Sequence, residues 1–85
     1  MQLRMLVAVA EESSIQKAAE RVFRTPPAVS MALRKLEVEV AASVFDRSEP
    51  HDDVLTPVGE VLVEYARTML MLHDEALAAV LVRME

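Results

Sequence analysis

Apolar residues recur along this chain in four successive blocks, each at the spacing of a helix face. Leu3, Leu6, Val7 and Ala10 make the first, which predicts an amphipathic helix ending near Glu11-Glu12. Ile15, Ala18, Ala19 and Val22 repeat the pattern and predict a second helix, whose adjacent alanines let another helix approach closely. Between them, Ser13-Ser14 supplies the N-cap: Ser13-x-x-Gln16 fits a capping box, and Ser14 can cap equally well. Arg24-Thr25-Pro26-Pro27 then breaks the run, because a residue before proline is pushed out of the α region. Thr25 as N-cap and Pro26 at the first helical position predict a third helix from about Pro26 to Val40. Its core face is Val29, Leu33, Leu36 and Val40; its outer stripe is Pro27, Ser30, Met31 and Arg34.

Beyond a loop at Ala41-Ala42-Ser43, the chain reads as a short hairpin. Val44-Phe45-Asp46-Arg47 is one expected strand, with Phe45 in the core; Val54-Leu55 is the other, and Ser48 to Asp53 form the tip. Thr56-Pro57 repeats the N-cap and proline signal and opens a long helix. There Val58, Leu62, Tyr65, Met69, Leu72, Ala76 and Ala79 alternate spacings of four and three, a heptad seam. Leu70, Leu77 and Leu81 add a second apolar stripe. One face near the start of this helix can pack on its own domain; the rest of the seam calls for a second chain.

A short helix, a brief turn and a helix with a small-polar and basic outer stripe is the layout of a helix-turn-helix. Four segments carry a resemblance to the N-terminal domain of LysR-type transcriptional regulators: LRMLVAVAEESSIQKAAERVF, TPPAVSMALRKLE, VFDRS and LTPVGEVLVEYAR, in that order, from Leu3 to about Ala76. The resemblance implies a mainly α fold: a winged helix-turn-helix of three helices and a small β-hairpin wing (residues 1–57), then a long linker and dimerisation helix (58–85). It implies a sequence-specific DNA-binding regulator of bacterial type, a homodimer or higher oligomer reading an interrupted palindrome in double-stranded DNA. An effector-binding domain of two α/β lobes follows the long helix in the family; it is not among these 85 residues.

On this resemblance the DNA-facing residues are Ser14, Lys17, Thr25, Pro26, Pro27, Ser30, Met31, Arg34 and Lys35, with Arg34 and Lys35 on the sugar-phosphate backbone. Ser14 is favoured as the N-cap. Lys17, Arg21 and Arg24 cluster around the second helix and the turn, either as solvated surface charge or as phosphate contacts that position the domain. The dimer interface is Val58, Leu62, Tyr65, Met69, Leu72 and Ala76. Arg47 resembles the arginine that closes the first strand. Three positions and one segment depart from the family pattern: Pro26 stands for a common glutamine, Met31 for a basic residue, Ala41 for a glycine at a left-handed helix end, and the wing reads Glu49-Pro50-His51-Asp52-Asp53 instead of carrying Arg or Lys. Pro26 and Met31 can offer a base only apolar contact, for example with a thymine methyl.

Composition sharpens this picture. Eighty-five residues, 53% apolar and 27% charged, make one small globular domain. The net charge of −5 is unusual for a nucleic-acid binder, but it is unevenly spread. Residues 15–47 carry six basic and four acidic side chains, whereas 48–85 carry two basic and eight acidic. The acidic wing, the thin positive surplus and the two apolar substitutions support an alternative: a dimerising winged-helix interaction module with weak or lost DNA affinity. Membrane-surface binding by the last helix is disfavoured by Glu60, Glu64, Asp74 and Glu75. No cysteine is present, no apolar run is long enough for a bilayer, and no signal-peptide pattern opens the chain, so a cytoplasmic protein is expected. His51 and His73 lie in unrelated elements and Gly59 is the sole glycine, so neither a catalytic constellation nor a phosphate-cradling loop is visible. His51, Asp52 and Asp53 without a second cluster do not make a metal site. No enzyme activity, cofactor or metal is expected.

Overall fold

The computed structural model describes residues 2–46 and 54–84. In chain order it forms α1 (Leu3–Glu12), α2 (Ile15–Arg21), α3 (Pro26–Val40), β1 (Phe45–Asp46), β2 (Val54–Leu55) and α4 (Pro57–Arg83). β1 and β2 are antiparallel, with Phe45 opposite Leu55 and Asp46 opposite Val54. The hairpin is shorter than expected at its first strand. Val44 is fully buried just ahead of β1, and its N–H goes to the Glu37 carboxylate at 2.7 Å instead of to a strand. Arg47 and the wing tip Ser48 to Asp53 lie outside the described residues.

Helix α1 is the hub, touching α2, α3 and α4. That explains why Ala8 and Val9, which lie off the expected apolar face, are buried together with Leu6 and Val7. Leu6, Val9, Val29, Leu36 and Val44 are the largest side chains shut off from solvent. Ala18 and Ala19 are buried too, so α2 sits close against its neighbours, as two alanines on one face allow. α4 joins the same core through Gly59, Val63 and Ala66, with Leu70 packed against it. From Met71 to Arg83 every residue of α4 is exposed. No helix among the described residues is long and apolar enough to cross a membrane.

Each later helix starts on a hydroxyl cap. Ser14 Oγ accepts from the Lys17 N–H (3.2 Å), Thr25 Oγ1 from that of Ala28 (3.3 Å) and Thr56 Oγ1 from that of Gly59 (3.0 Å). Ser14 is therefore the N-cap of α2. The Ser13–Gln16 capping box does not form, because Ser13 ends α1 in the left-handed conformation, φ 53°. Thr56 also ties α4 to the preceding loop: its hydroxyl donates to the Ser43 carbonyl (2.7 Å) and its N–H to the Val44 carbonyl (3.0 Å).

Helix α3 ends in a left-handed turn made without glycine. Ala41 takes φ 54° while the Ala42 N–H reaches the Glu37 carbonyl and the Ala41 N–H that of Val38, the paired bonds of a Schellman motif. An L-residue is strained there by about 1–2 kcal/mol, whereas glycine is not. Ala41→Gly is expected to stabilise the fold by about 0.5–1 kcal/mol after the greater freedom of glycine in the unfolded chain is subtracted. The melting temperature should then rise by about 4 °C. A drop in a thermal melt would mean that Ala41 packs more tightly than its exposure implies.

Candidate nucleic-acid interface

The turn between α2 and α3 sets the geometry of the motif. α2 closes with the same pair of bonds as α3: the Arg24 N–H to the Ala19 carbonyl (2.9 Å) and the Phe23 N–H to that of Glu20 (3.3 Å). Phe23 itself sits in the left-handed region at φ 58° and is 92% exposed. Sequence reasoning did not single it out, since Gly and Asn are the residues that advertise such a position. Two residues further on, Thr25 caps α3 and the chain turns onto its new axis.

On α3 the two faces separate as expected. Val29, Leu33 and Leu36 are buried and Val40 packs against the core. Thr25, Pro26, Pro27, Met31, Arg34 and Lys35 are exposed, and Ser30 is half-buried between the faces. Met31 is 61% exposed at the centre of this stripe. The structure thus brings Thr25, Pro26, Pro27, Ser30, Met31, Arg34 and Lys35 onto one accessible helix face. Ser14 and Lys17 belong to the start of α2, where Ser14 is half-buried and its oxygen is engaged as a cap, while Lys17 is exposed.

The basic side chains divide into two groups. Among the described residues, no carboxylate pairs with Lys17, Arg24, Arg34 or Lys35. Arg21, in contrast, is committed to α1, with Glu11 at 2.7 Å and Glu12 at 3.3 Å. Its hydrogen bond is the main cause holding the Glu11 carboxyl below the usual carboxylate range, with Arg67 of α4 adding a second contact at 3.3 Å. Arg4 pairs with Asp74 at 3.2 Å, and Asp74 is lowered by hydrogen bonds from His73 first and then Arg4. These half-exposed pairs brace α1, α2 and α4 with little energy each. Their consequence for the site is that Arg21 is spent within the fold, whereas Lys17, Arg24, Arg34 and Lys35 can turn to phosphate.

A second surface lies on α4. Val40, Pro57, Val58, Val61, Leu62, Tyr65 and Met69 line an open groove with no polar surface. Of the seam residues, Val58, Tyr65, Met69 and Leu72 are exposed, Ala76 is exposed, and Leu62 is half-buried against the core. The seam lies one residue behind the buried set Gly59, Val63, Ala66 and Leu70, so the helix has one face for its own core and a neighbouring apolar face left open. Leu70, expected with Leu77 and Leu81, belongs to the core face; Leu77 and Leu81 are exposed.

Residues 1–60 match the family model for the bacterial regulatory helix-turn-helix protein, lysR family. The chain belongs to the LysR family. Among curated relatives, it is 39% identical over 79 residues to a probable RuBisCO transcriptional regulator of Guillardia theta, covering 93% of this chain and 25% of the relative. It is 35% identical over 78 residues to the HTH-type transcriptional regulator CysL of Bacillus subtilis, covering 92% and 26%. The chain therefore spans about a quarter of the length of these LysR-family relatives. Among solved structures, it superposes on the BenM DBD in a complex with catB site 1 DNA with a TM-score of 0.85, at 31% identity, covering 92% of this chain and 86% of that one. The CbnR DBD–DNA complex gives 0.89 at 25% identity, covering 99% and 95%. The fold is the winged helix-turn-helix with a long helix that these LysR-family structures share.

Proposed function

We propose that this chain is the DNA-binding part of a LysR-type transcription regulator, not an enzyme, and that it binds double-stranded DNA as a homodimer in the cytoplasm. The observation that carries the reading is the exposed face of α3, where a base-sized stripe of Pro26, Pro27, Ser30 and Met31 is followed by the exposed cations Arg34 and Lys35. A helix with its opposite face buried and this face open fits the major groove. Arg34 and Lys35 contact phosphate and set the register; Lys17 and Arg24 extend the positive edge; Ser14 and Thr25 reach phosphate or sugar through their hydroxyls. Functionally, residues 1–57 hold the DNA face and 58–85 the pairing face, although α4 is rooted in the core by Gly59, Val63 and Ala66.

Binding measured over a range of salt tests the proposal. Replacing Arg34 or Lys35 by alanine is expected to weaken binding to specific and random duplexes alike, and to flatten the log–log salt slope by about one unit each. Weakening confined to the specific site would overturn the phosphate assignment. The net charge of −5 favours a second reading, a dimerising module without DNA affinity. No binding even at low salt is the outcome that selects it.

A further inference from the structure

We infer that Met31 reads thymine methyl groups and is the principal specificity determinant of this chain. The inference rests on the DNA-binding proposal and names what that face recognises.

The N-terminus of a helix ordinarily offers free amide N–H groups to phosphate or to acceptors on base edges. That of α3 offers almost none. Pro26 and Pro27 fill its first two positions and have no N–H. The next amide, of Ala28, is taken by Thr25 Oγ1 at 3.3 Å, and that of Val29 by the Thr25 carbonyl at 3.1 Å. The polar route to a base at this end of the helix is closed by the backbone itself.

The side chains leave the same gap. Bidentate reading of guanine needs Arg or Lys, and of adenine Asn or Gln. Along the stripe before Arg34 stand Pro26, Pro27, a half-buried Ser30 and Met31. Serine bonds to more than one base and discriminates weakly. Met31 is 61% exposed, on a helix turn anchored by the buried Val29 and Leu33. The one major-groove feature an apolar side chain rewards is the C5 methyl of thymine. An unbranched thioether with three rotatable bonds settles against such a methyl without demanding one fixed geometry. The two prolines extend the same apolar surface toward the neighbouring base step.

The experiment replaces thymine by uracil, which removes only that methyl and keeps the pairing edge. Duplexes bound by the 85-residue chain are enriched from a random pool, and the thymines of the enriched site are then exchanged singly for uracil. Affinity is measured by fluorescence anisotropy for the parent chain and for Met31→Ala, a substitution at an exposed position that leaves the core untouched. The expected result is a loss of about fourfold at one or two thymines per half-site, the effect of burying one methyl group. With Met31→Ala the thymine and uracil duplexes should bind alike. Tight binding that is indifferent to uracil overturns the inference and leaves DNA recognition standing. So does a uracil effect that persists in Met31→Ala, because another residue then reads the methyl. Failure to enrich any site overturns the inference together with sequence-specific recognition.

Discussion

Gly59→Ala is expected to destabilise the fold by about 3 kcal/mol or more, at the upper end of what inserting one carbon into a closed site costs. A Cβ built on Gly59 overlaps the Val44 carbonyl oxygen and comes within 3.0 Å of Leu55 Cδ2. The leucine can turn aside. The carbonyl cannot, since it accepts from the Thr56 N–H and Val44 itself is held by Glu37. Relief would require α4 to lift off the hairpin, breaking the Thr56 cap and loosening Val63 and Ala66 in the core. Glu60→Ala, one residue on and facing solvent, should stay within about 0.5 kcal/mol of the parent. Urea denaturation of the three proteins separates the cases; equal midpoints for Gly59→Ala and Glu60→Ala would mean that α4 does not press on the hairpin as described.

This contact also marks where sequence reasoning stops. Gly59 stands out as the only glycine, but nothing in the chain says whether a lone glycine serves a turn, a close approach or neither. The helices are legible because each one carries its own local signals. Pro26 and Pro27 behind Thr25, and Pro57 behind Thr56, start α3 and α4 where the caps predict. The buried face of α3 follows directly from the spacing of Val29, Leu33 and Leu36. What is not legible depends on neighbours. Ala8 and Val9 are buried because three helices surround α1, a fact of tertiary packing that a single-face pattern cannot encode. On α4 the spacing of four and three fits two registers at once, Val58-Leu62-Tyr65-Met69 and Gly59-Val63-Ala66-Leu70. The first is richer in large residues and is readable as a seam. The second is the one used inside the chain, because its small residues let the helix sit close, Gly59 against Val44 and the hairpin and Ala66 in the core.

The same limit applies to the DNA face. Spacing alone places its residues on one stripe of α3, but their chemistry depends on what surrounds them. Arg21 has the sequence position of a phosphate contact, yet Glu11 and Glu12 hold it. Phe23 occupies a left-handed position with no residue type to announce it, and at Ala41 only the family pattern, not the residue itself, marks one. In each case the backbone bonds at a helix end dictate the conformation and the side chain tolerates it.

The largest functional effect is expected from the open face of α4. Tyr65→Glu combined with Leu72→Glu should convert a dimer into a folded monomer and weaken site-specific DNA binding by about 100-fold, the lower range of gains from joining two sites. These positions are chosen because Tyr65 is 64% and Leu72 54% exposed, so neither supports the core, whereas Leu62 packs partly against it. Val58, Tyr65, Met69 and Leu72 on each of two chains give eight large side chains to bury. Burying them is what drives pairing, and the surplus over the entropic cost of association sets its affinity. Two-fold pairing then holds two α3 helices at a fixed separation, so both half-sites engage together. In the double variant four carboxylates meet across that axis, and their desolvation removes the surplus. Circular dichroism should show helix content close to the parent, since Leu6, Val29, Leu36 and Ala66 are untouched. Sedimentation equilibrium distinguishes the two states directly: a variant that still sediments as a dimer would place the interface on another surface and leave the α4 groove without a second copy of the chain to fill it.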